Sequence, residues 1–474
     1  MSQAQQSATE RDDASIIDEL MINGRRAMAQ FASADQARVD EAVTALCWSI
    51  YKPEHARETA KLAVEGTGLG NIDDKITKNQ RKNFGTLRDL MRVKSVGIIE
   101  EIPGKGLVKY AKPVGVVGAV VPSTNPCATP VNKSMMAIKG RNAVVIAPSP
   151  AGFKATSRVV KLMRDELEKI GLPADLVQIL PAPISKSLTN KLMEESDLVV
   201  VTGSQNNVRN AYKSGTPAIG VGAGNVPVII DSSADLDDAA QKIMASKCFD
   251  NATSCSSENS VTILDDIYDD AITAMKNVGG YMCTSEDKEA ILNNLWVDGH
   301  LNRHVLAKDP DVFADVCGLP ELAKQAKFFM VEDEGAGKDR PLSGEKLSLA
   351  LTIYRAPSIE AAMDQVQDVL NFQGMGHSVG IHTKHPANAQ ILAERLDVVR
   401  VLVNQAHTFG NGGSFDNGLG FTLTMGCGTW AGNSISENLG YHHFINITHL
   451  VKTIPEDRPS EEDLFGAHWE KYGK

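Results

Sequence analysis

Along residues 14–91 apolar side chains recur three and four apart, Ile17, Leu20 and Met21 first and then Val43, Leu46, Cys47 and Ile50, with Lys, Arg and Glu between them. That period predicts amphipathic helices, a helical layer whose first member covers 14–31 and opens the cofactor domain rather than serving as a docking peptide. The period then changes. Residues 93–112 hold two short β-prone runs around Pro103, Gly104, Lys105 and Gly106 and predict a hairpin. Beyond it, near-continuous apolar runs at 114–121, 142–147, 176–180, 198–201 and 226–230 alternate with helical stretches such as 155–170. Such runs suit parallel strands buried on both faces, and their alternation with helices predicts a doubly wound α/β sheet. A second α/β series begins near Ala234, with strands expected at 260–264, 350–355, 378–382 and 398–403. Two such domains should meet at a cleft. Residues 411–420 read as a Gly/Asn-rich loop and 455–474 as a polar tail.

Charge narrows the function. With 48 Lys+Arg against 59 Asp+Glu the net charge is −11, which argues against a nucleic-acid partner, since that needs clustered positive charge. The one dense basic stretch, from Lys75 to Arg92, reads as a solvated helix face. A 474-residue chain that is 42% hydrophobic suits two or three globular domains. Met1 to Asp13 is polar, unlike a secretory leader, and no run is long enough to span a bilayer, so no membrane partner is expected. The seven cysteines are dispersed and never spaced CxxC, which disfavours disulfides and thiolate metal sites and points to a reducing cytoplasm. No HExxH occurs, and His442 and His443 should point apart on a helix or a strand, so no metal is expected.

Several short segments carry candidate chemistry. Thr202, Gly203 and Ser204 follow an expected strand and precede a helical run, the place where free N–H groups receive phosphate; a plain N-cap by Ser204 is the alternative. The loop from Gly220 to Pro227 leads into a strand, where a dinucleotide fingerprint should open a helix. Its glycines, Gly222 among them, still let backbone approach a ligand. Cys255 sits among small polar residues ahead of a strand, a setting for an exposed thiol, and Cys127 is a rival on the same grounds. Asn125, on a strand-to-helix turn, is an amide suited to polarising a carbonyl oxygen.

In this order, Pro113-Val-Gly-Val-Val-Gly-Ala-Val-Val-Pro-Ser-Thr-Asn-Pro126, Lys139-Gly-Arg-Asn-Ala143, Thr202-Gly-Ser204, Ala218 to Pro227, the Cys255 segment, Glu345-Lys-Leu-Ser348, Gly374-Met-Gly-His377 and Met425 to Ser434 resemble the CoA-acylating branch of the aldehyde dehydrogenase superfamily over residues 93–452. The resemblance implies an α/β, aldehyde dehydrogenase-like fold: two doubly wound α/β domains with a β-ribbon for oligomerisation. Cys255 matches the nucleophile that forms a thiohemiacetal and then a thioester, and Asn125 with the Cys255 N–H matches the oxyanion hole. Thr202 to Ser204 match the pyrophosphate turn, Glu345 the carboxylate that holds the nicotinamide ribose, and His377 a motif near the site, to which no proton-transfer role is assigned and for which a structural hydrogen-bonding role is the alternative. Hydrolytic members carry, in the segment equivalent to 220–227, a glutamate that activates water; here 215–230 has no acid. The implied acceptor of the acyl group is therefore CoA. A hydrolytic enzyme with another base and a non-catalytic nucleotide-binding relative are the competing readings.

The same resemblance sets the remaining expectations. The cofactor domain should span 1–92 and 113–231, the catalytic domain 232–432, and the ribbon and tail 93–112 and 433–474, making a homodimer or homotetramer. After the strand 142–147 no acid appears, while Ser149, Lys154 and Arg158 are available for a 2′-phosphate, which points to NADP, with NAD the alternative. The wording of 110–118 and 125–133 is nearest to members acting on sulfoacetaldehyde, with succinate semialdehyde close behind. Both aldehydes end in an anion, for which Arg209, Arg400 and His407 are candidate partners.

Overall fold

The computed structural model describes residues 12–474; the first eleven residues, part of the polar start, lie outside the described residues. Four helices open it, Asp13–Phe31, Gln36–Tyr51, Pro53–Thr67 and Ile72–Leu90. Local chemistry marks their ends: Asp35 and Asn71 accept the N–H groups of Arg38 and Asp74 as N-caps, and Gly68 closes the third helix in the left-handed region.

The first sheet has five parallel strands in the order Val177–Ile179, Ala143–Ala147, Val116–Val120, Leu198–Thr202, Ala218–Val221. Its strands read as unbroken apolar runs because both faces are covered. Val117, Ala119, Val144 and Ile146 pack on one side with Val43, Leu46 and Met135, while Val116, Val120, Val145 and Val199 pack on the other with Ile17, Met21 and Leu192. Chain order reverses between Val116–Val120 and Leu198–Thr202, which opens a crevice beyond their carboxyl ends.

The second sheet has seven parallel strands, in the order Gly280–Met282, Phe328–Glu332, Ala350–Ala356, Glu258–Leu264, Val226–Ile230, Val379–His382, Val401–Val403. Val226–Ile230 belongs here, paired with Glu258–Leu264 and Val379–His382, and not to the first sheet as its position in the alternation predicts. The fifth strand of the first sheet is instead Ala218–Val221, too short and Gly-broken to register as an apolar run. The chain therefore crosses between sheets at residues 222–225, inside the Gly-rich loop, earlier than the expected boundary at 231.

Two further expectations change. Lys75, Lys78, Asn79, Lys82, Asn83 and Thr86 form the buried face of Ile72–Leu90, so the basic stretch is not a solvated face. The tail contains a helix, Glu461–Tyr472, capped by Ser460. The hairpin forms as expected from Gly97–Ile102 and Leu107–Pro113, and Ile445–Val451 adds a third antiparallel strand. That outer strand exposes Ile447, Leu450 and Val451. Among the described residues no helix is long and apolar enough to cross a membrane.

Candidate active site

Cys255 is presented by a strained loop. The helix Leu236–Cys248 ends, and Asp250, Asn251 and Ala252 follow with φ of +52°, +51° and +59° before the chain enters Glu258–Leu264. Each non-glycine residue in that region costs about 1–2 kcal/mol, so the turn needs anchors. The Asp250 carboxylate supplies them, accepting from Lys78 Nζ at 2.6 Å, Lys75 Nζ at 2.9 Å, Thr253 Oγ1 at 2.7 Å and the Asn71 N–H at 3.0 Å. Burial works to raise this carboxyl, and the two ammonium groups outweigh it and hold it below the ordinary carboxylate range. Lys75 Nζ also donates to the Thr124 carbonyl at 3.3 Å, which ties the turn carrying Asn125 to the same cluster.

The two candidate cysteines are separated by access. Burial pushes both thiols up to about 12, helped at Cys255 by the nearby Glu345 and Cys427. Cys127 lies in the core with Sγ against the Thr59 carbonyl at 3.3 Å, whereas Cys255 is half-buried. A methyl group on Gly224 would sit 2.5 Å from the Cys255 carbonyl oxygen, 3.0 Å from its Cβ and 2.9 Å from His377 Nε2. Only glycine admits that approach, and it brings the Gly-rich loop, the thiol and an imidazole to one point. Glu345 reaches it too, its carboxyl pushed up to about 7 by burial against the pull of the Gly224 N–H and of Lys346 and Lys247.

Behind this point lies a second layer. His377 Nδ1 contacts Ser378 Oγ at 2.7 Å, and the same hydroxyl contacts His407 Nε2 at 2.8 Å. His377 Nε2 is buried without a partner, and burial, with Arg400 and His407 close by, keeps the ring neutral. Arg400 donates to the carbonyls of His377 at 3.1 Å and Gly426 at 2.8 Å and to Asn438 Oδ1 at 3.0 Å. Arg400 and His407 thus help to hold the His377 segment, while Arg400 Nε and His407 Nδ1 are buried without a partner. Arg209 is exposed on the helix Gln205–Lys213. Of the three anion partners expected from the sequence, Arg400 lies close enough to Cys255 to work against the rise of its thiol. The buried polar face of Ile72–Leu90 is one that apolar periodicity does not reveal, because it is made of lysines and asparagines.

On the other side of the cleft, Asn125 and the segment 202–204 follow the carboxyl ends of the two strands that flank the switch point. Asn125 Oδ1 is buried without a partner, and space around Gly203 is open for 4 Å beyond a would-be Cβ. Ser204 caps Gln205–Lys213, accepting the Asn207 N–H at 3.3 Å, and Thr202 Oγ1 meets Thr424 Oγ1 at 2.7 Å. This open helix start fits a dinucleotide, and it is the Nδ2 of Asn125, not its orphaned oxygen, that could donate to a carbonyl oxygen. Gly222 packs on the Gln205 side chain, within 2.3 Å of a would-be Cβ. Ser149 Oγ accepts the Gly152 N–H at 3.1 Å, Lys154 is exposed, and Arg158 is paired with Glu58 at 2.8 and 3.0 Å.

His442 and His443 do not diverge as expected. They lie in a short 3-10 turn, Tyr441–Phe444, with ring centroids 4.0 Å apart, and reach Glu437 at 3.6 and 3.1 Å. His443 Nδ1 accepts the Gly440 N–H at 3.0 Å, so its Nε2 carries the proton and donates to Glu437.

The chain matches the model of the Aldehyde dehydrogenase family over residues 54–280. It is 49% identical to the acylating sulfoacetaldehyde dehydrogenase of Cupriavidus necator, covering 96% of this chain and 92% of that protein. It is 41% identical to a protein of the same description from Bilophila wadsworthia, over 97% and 99% of the two chains. The crystal structure of an acetylating aldehyde dehydrogenase from Geobacillus thermoglucosidasius superposes with a TM-score of 0.90 at 33% identity, over 95% of this chain and 100% of that one. Two parallel α/β sheets meeting at a cysteine loop, together with these likenesses along nearly the whole chain, show that it belongs to the aldehyde dehydrogenase family, in its acylating branch.

Proposed function

We propose that this chain oxidises an aldehyde ending in an anion, foremost sulfoacetaldehyde, to its CoA thioester with reduction of NADP. The observation that carries the reading is the contact of Gly224 with Cys255, inside a segment, 215–230, that has no acid. From that loop a thioester on Cys255 meets no base to activate water, and it waits for a thiol. The relatives from Cupriavidus necator and Bilophila wadsworthia, both named for acylating sulfoacetaldehyde oxidation, support the same choice.

The chain's own residues divide the work as follows. Cys255 attacks the carbonyl, and its thiol, pushed up to about 12, needs a proton acceptor; the free Nε2 of neutral His377 stands beside its loop. The Asn125 amide and the Cys255 N–H hold the oxyanion, and Glu345 orients the ribose. When bound, the nicotinamide accepts hydride and CoA supplies the thiol that takes the acyl group. Thr202, Gly203, Ser204 and Gly222 cradle the dinucleotide. For a 2′-phosphate Ser149 and Lys154 are at hand, while Arg158 must leave Glu58 to join them; NAD is the alternative. The exposed apolar edge of Ile445–Val451 supports pairing with a second copy as a homodimer or homotetramer.

One observation favours a second, hydrolytic reading. Glu345, with a carboxyl near 7 beside Cys255, is a base that could serve water. Nicotinamide reduction by the purified protein with sulfoacetaldehyde, run with and without CoA and repeated with succinate semialdehyde and with NAD, separates the two. Strict CoA dependence is expected; equal turnover without CoA would assign Glu345 to water activation.

A further inference from the structure

The layer behind Cys255 is a row of three buried side chains. His377 and Ser378 are 0% exposed and His407 1%, and Ser378 Oγ lies 2.7 Å from His377 Nδ1 and 2.8 Å from His407 Nε2. Among the described residues no other group exchanges a hydrogen bond with that hydroxyl. Each end of the row is fixed from outside. Arg400 donates to the His377 carbonyl at 3.1 Å, the His407 N–H donates to Glu258 Oε1 at 3.2 Å, and the Thr408 N–H donates to Ser246 Oγ at 2.8 Å. The outer ring nitrogens, His377 Nε2 and His407 Nδ1, are buried without partners.

A hydroxyl carries one proton, and each neutral imidazole carries one N–H. Were both rings to donate to Ser378, its own proton would be buried without an acceptor; were both to accept, one contact would set lone pair against lone pair. Either arrangement leaves a buried polar group unpaired, at a cost of about 1–3 kcal/mol. The bonds therefore run in one direction, from His377 through Ser378 to His407 or the reverse. The two directions differ at the nucleophile. Running toward His407, they leave the lone pair of His377 on Nε2; running toward His377, they put an N–H there, and that nitrogen can take no proton. A Cβ on Gly224 would lie 2.9 Å from this Nε2 and 3.0 Å from Cys255 Cβ, so the nitrogen and the nucleophile flank one point.

Resting on the reading above in which His377 takes the Cys255 proton, we propose that Ser378 is the positioning residue of that transfer: its Oγ accepts from His377 Nδ1 and donates to His407 Nε2, which keeps the basic lone pair on Nε2. As Cys255 attacks, its S–H proton passes to Nε2, the S–H electron pair forms the bond to the carbonyl carbon, and the C=O π pair goes to the oxygen. The imidazolium that results keeps its Nδ1–H on Ser378 Oγ. Burial and the nearby Arg400 both disfavour that cation, so an acceptor fixed at Nδ1 is what the transfer needs.

The test reads the first burst of nicotinamide reduction without CoA, which contains the proton transfer and not the release of the acyl group, with sulfoacetaldehyde, or with succinate semialdehyde if the wild type prefers it. Ser378→Ala should slow the burst roughly 10- to 100-fold, short of the loss in His377→Gln, where removal of the base costs about 10²-fold or more. Dinucleotide binding should equal wild type in both. Ser378→Thr restores the hydroxyl and should recover most of the rate. A burst in Ser378→Ala equal to wild type, or one slowed equally in Ser378→Thr, would overturn the proposal. A wild-type burst in His377→Gln would instead remove the reading of His377 as proton acceptor. Should the added methyl keep Ser378→Thr from folding, His407→Gln and His407→Leu decide it. The glutamine carbonyl can take the Ser378 proton and should keep the burst roughly tenfold faster than leucine does; equal rates would overturn the assignment.

Discussion

Lys78 donates to the Asp250 carboxylate at 2.6 Å, and with Lys75 beside it a helix packed against those that cover the first sheet grips the left-handed turn that presents Cys255 from the second. Asp250 is the common anion of two buried lysines. Removing one partner of a buried ion pair typically costs about 3–5 kcal/mol, because the other charge stays behind. Asp250→Asn should therefore lower the thermal midpoint by several degrees and reduce turnover more than it weakens cofactor binding, as the turn relaxes toward ordinary backbone angles. A midpoint and turnover equal to wild type would mean that the turn stands without its anion.

Glu258 gives the protein a pH signature. The residue is 1% exposed, its Oε1 accepts the His407 N–H at 3.2 Å, and its Oε2 has no partner. Burial pushes the carboxyl up to about 7 against the hydrogen bonds that favour its anion. A raised carboxyl contributes stability that is full below the unfolded value, near 4.3, and lost as pH rises through 7. The loss amounts to roughly 4 kcal/mol. Urea unfolding of Glu258→Gln and wild type should diverge between pH 5 and pH 8, with the variant gaining on the wild type as pH rises. A difference that stays constant across that range would show that Glu258 does not titrate there.

Much of this was legible along the chain, and the exceptions have a common physical cause. Strands buried on both faces announce themselves as apolar runs, so four of the five in the first sheet were predictable, as were the hairpin and the Cys255 loop. Val226–Ile230 reads the same whichever sheet it joins, because a run of apolar residues records burial and not its neighbour. The face of Ile72–Leu90 that matters most is made of Lys75, Lys78, Asn79, Lys82 and Asn83, and a period sought in apolar residues passes over it. The signal available was a polar period: lysines at i, i+3 and i+7 flanked by asparagines, in a chain of net charge −11. A lone arginine in a sequence likewise does not reveal that two backbone carbonyls hold part of the Arg400 guanidinium.

Access, and not acidity, distinguishes the two candidate nucleophiles. Both thiols are pushed up to about 12, so alkylation of the cofactor-free protein by iodoacetamide should accelerate close to tenfold per pH unit through pH 9 without reaching a plateau. Loss of activity should track modification of Cys255 alone. Cys255→Ala should abolish nicotinamide reduction while dinucleotide binding persists. Cys127→Ala should retain turnover and lose only stability, about 1–2 kcal/mol for a buried truncation. Inactivation that survives Cys255→Ser, or turnover lost in Cys127→Ala at unchanged stability, would move the chemistry to Cys127.

Gly224 tests how closely the Gly-rich loop must approach the nucleophile. The atom a new Cβ meets first, 2.5 Å away, is the Cys255 carbonyl oxygen, which no rotamer can withdraw, and the next is His377 Nε2 at 2.9 Å. In Gly224→Ala the loop and the Cys255 turn must separate by several tenths of an ångström or more. Because misplacements near 1 Å at reacting groups cost on the order of 10²-fold, turnover should fall by one to two orders of magnitude, chiefly in kcat. Gly104→Ala is the matched control, since a Cβ there meets nothing within 4 Å and the residue lies in the hairpin turn; its turnover should equal wild type. Full activity in Gly224→Ala would show that the loop is free to withdraw, and the missing acid at 215–230 would then no longer explain why a thioester on Cys255 waits for CoA.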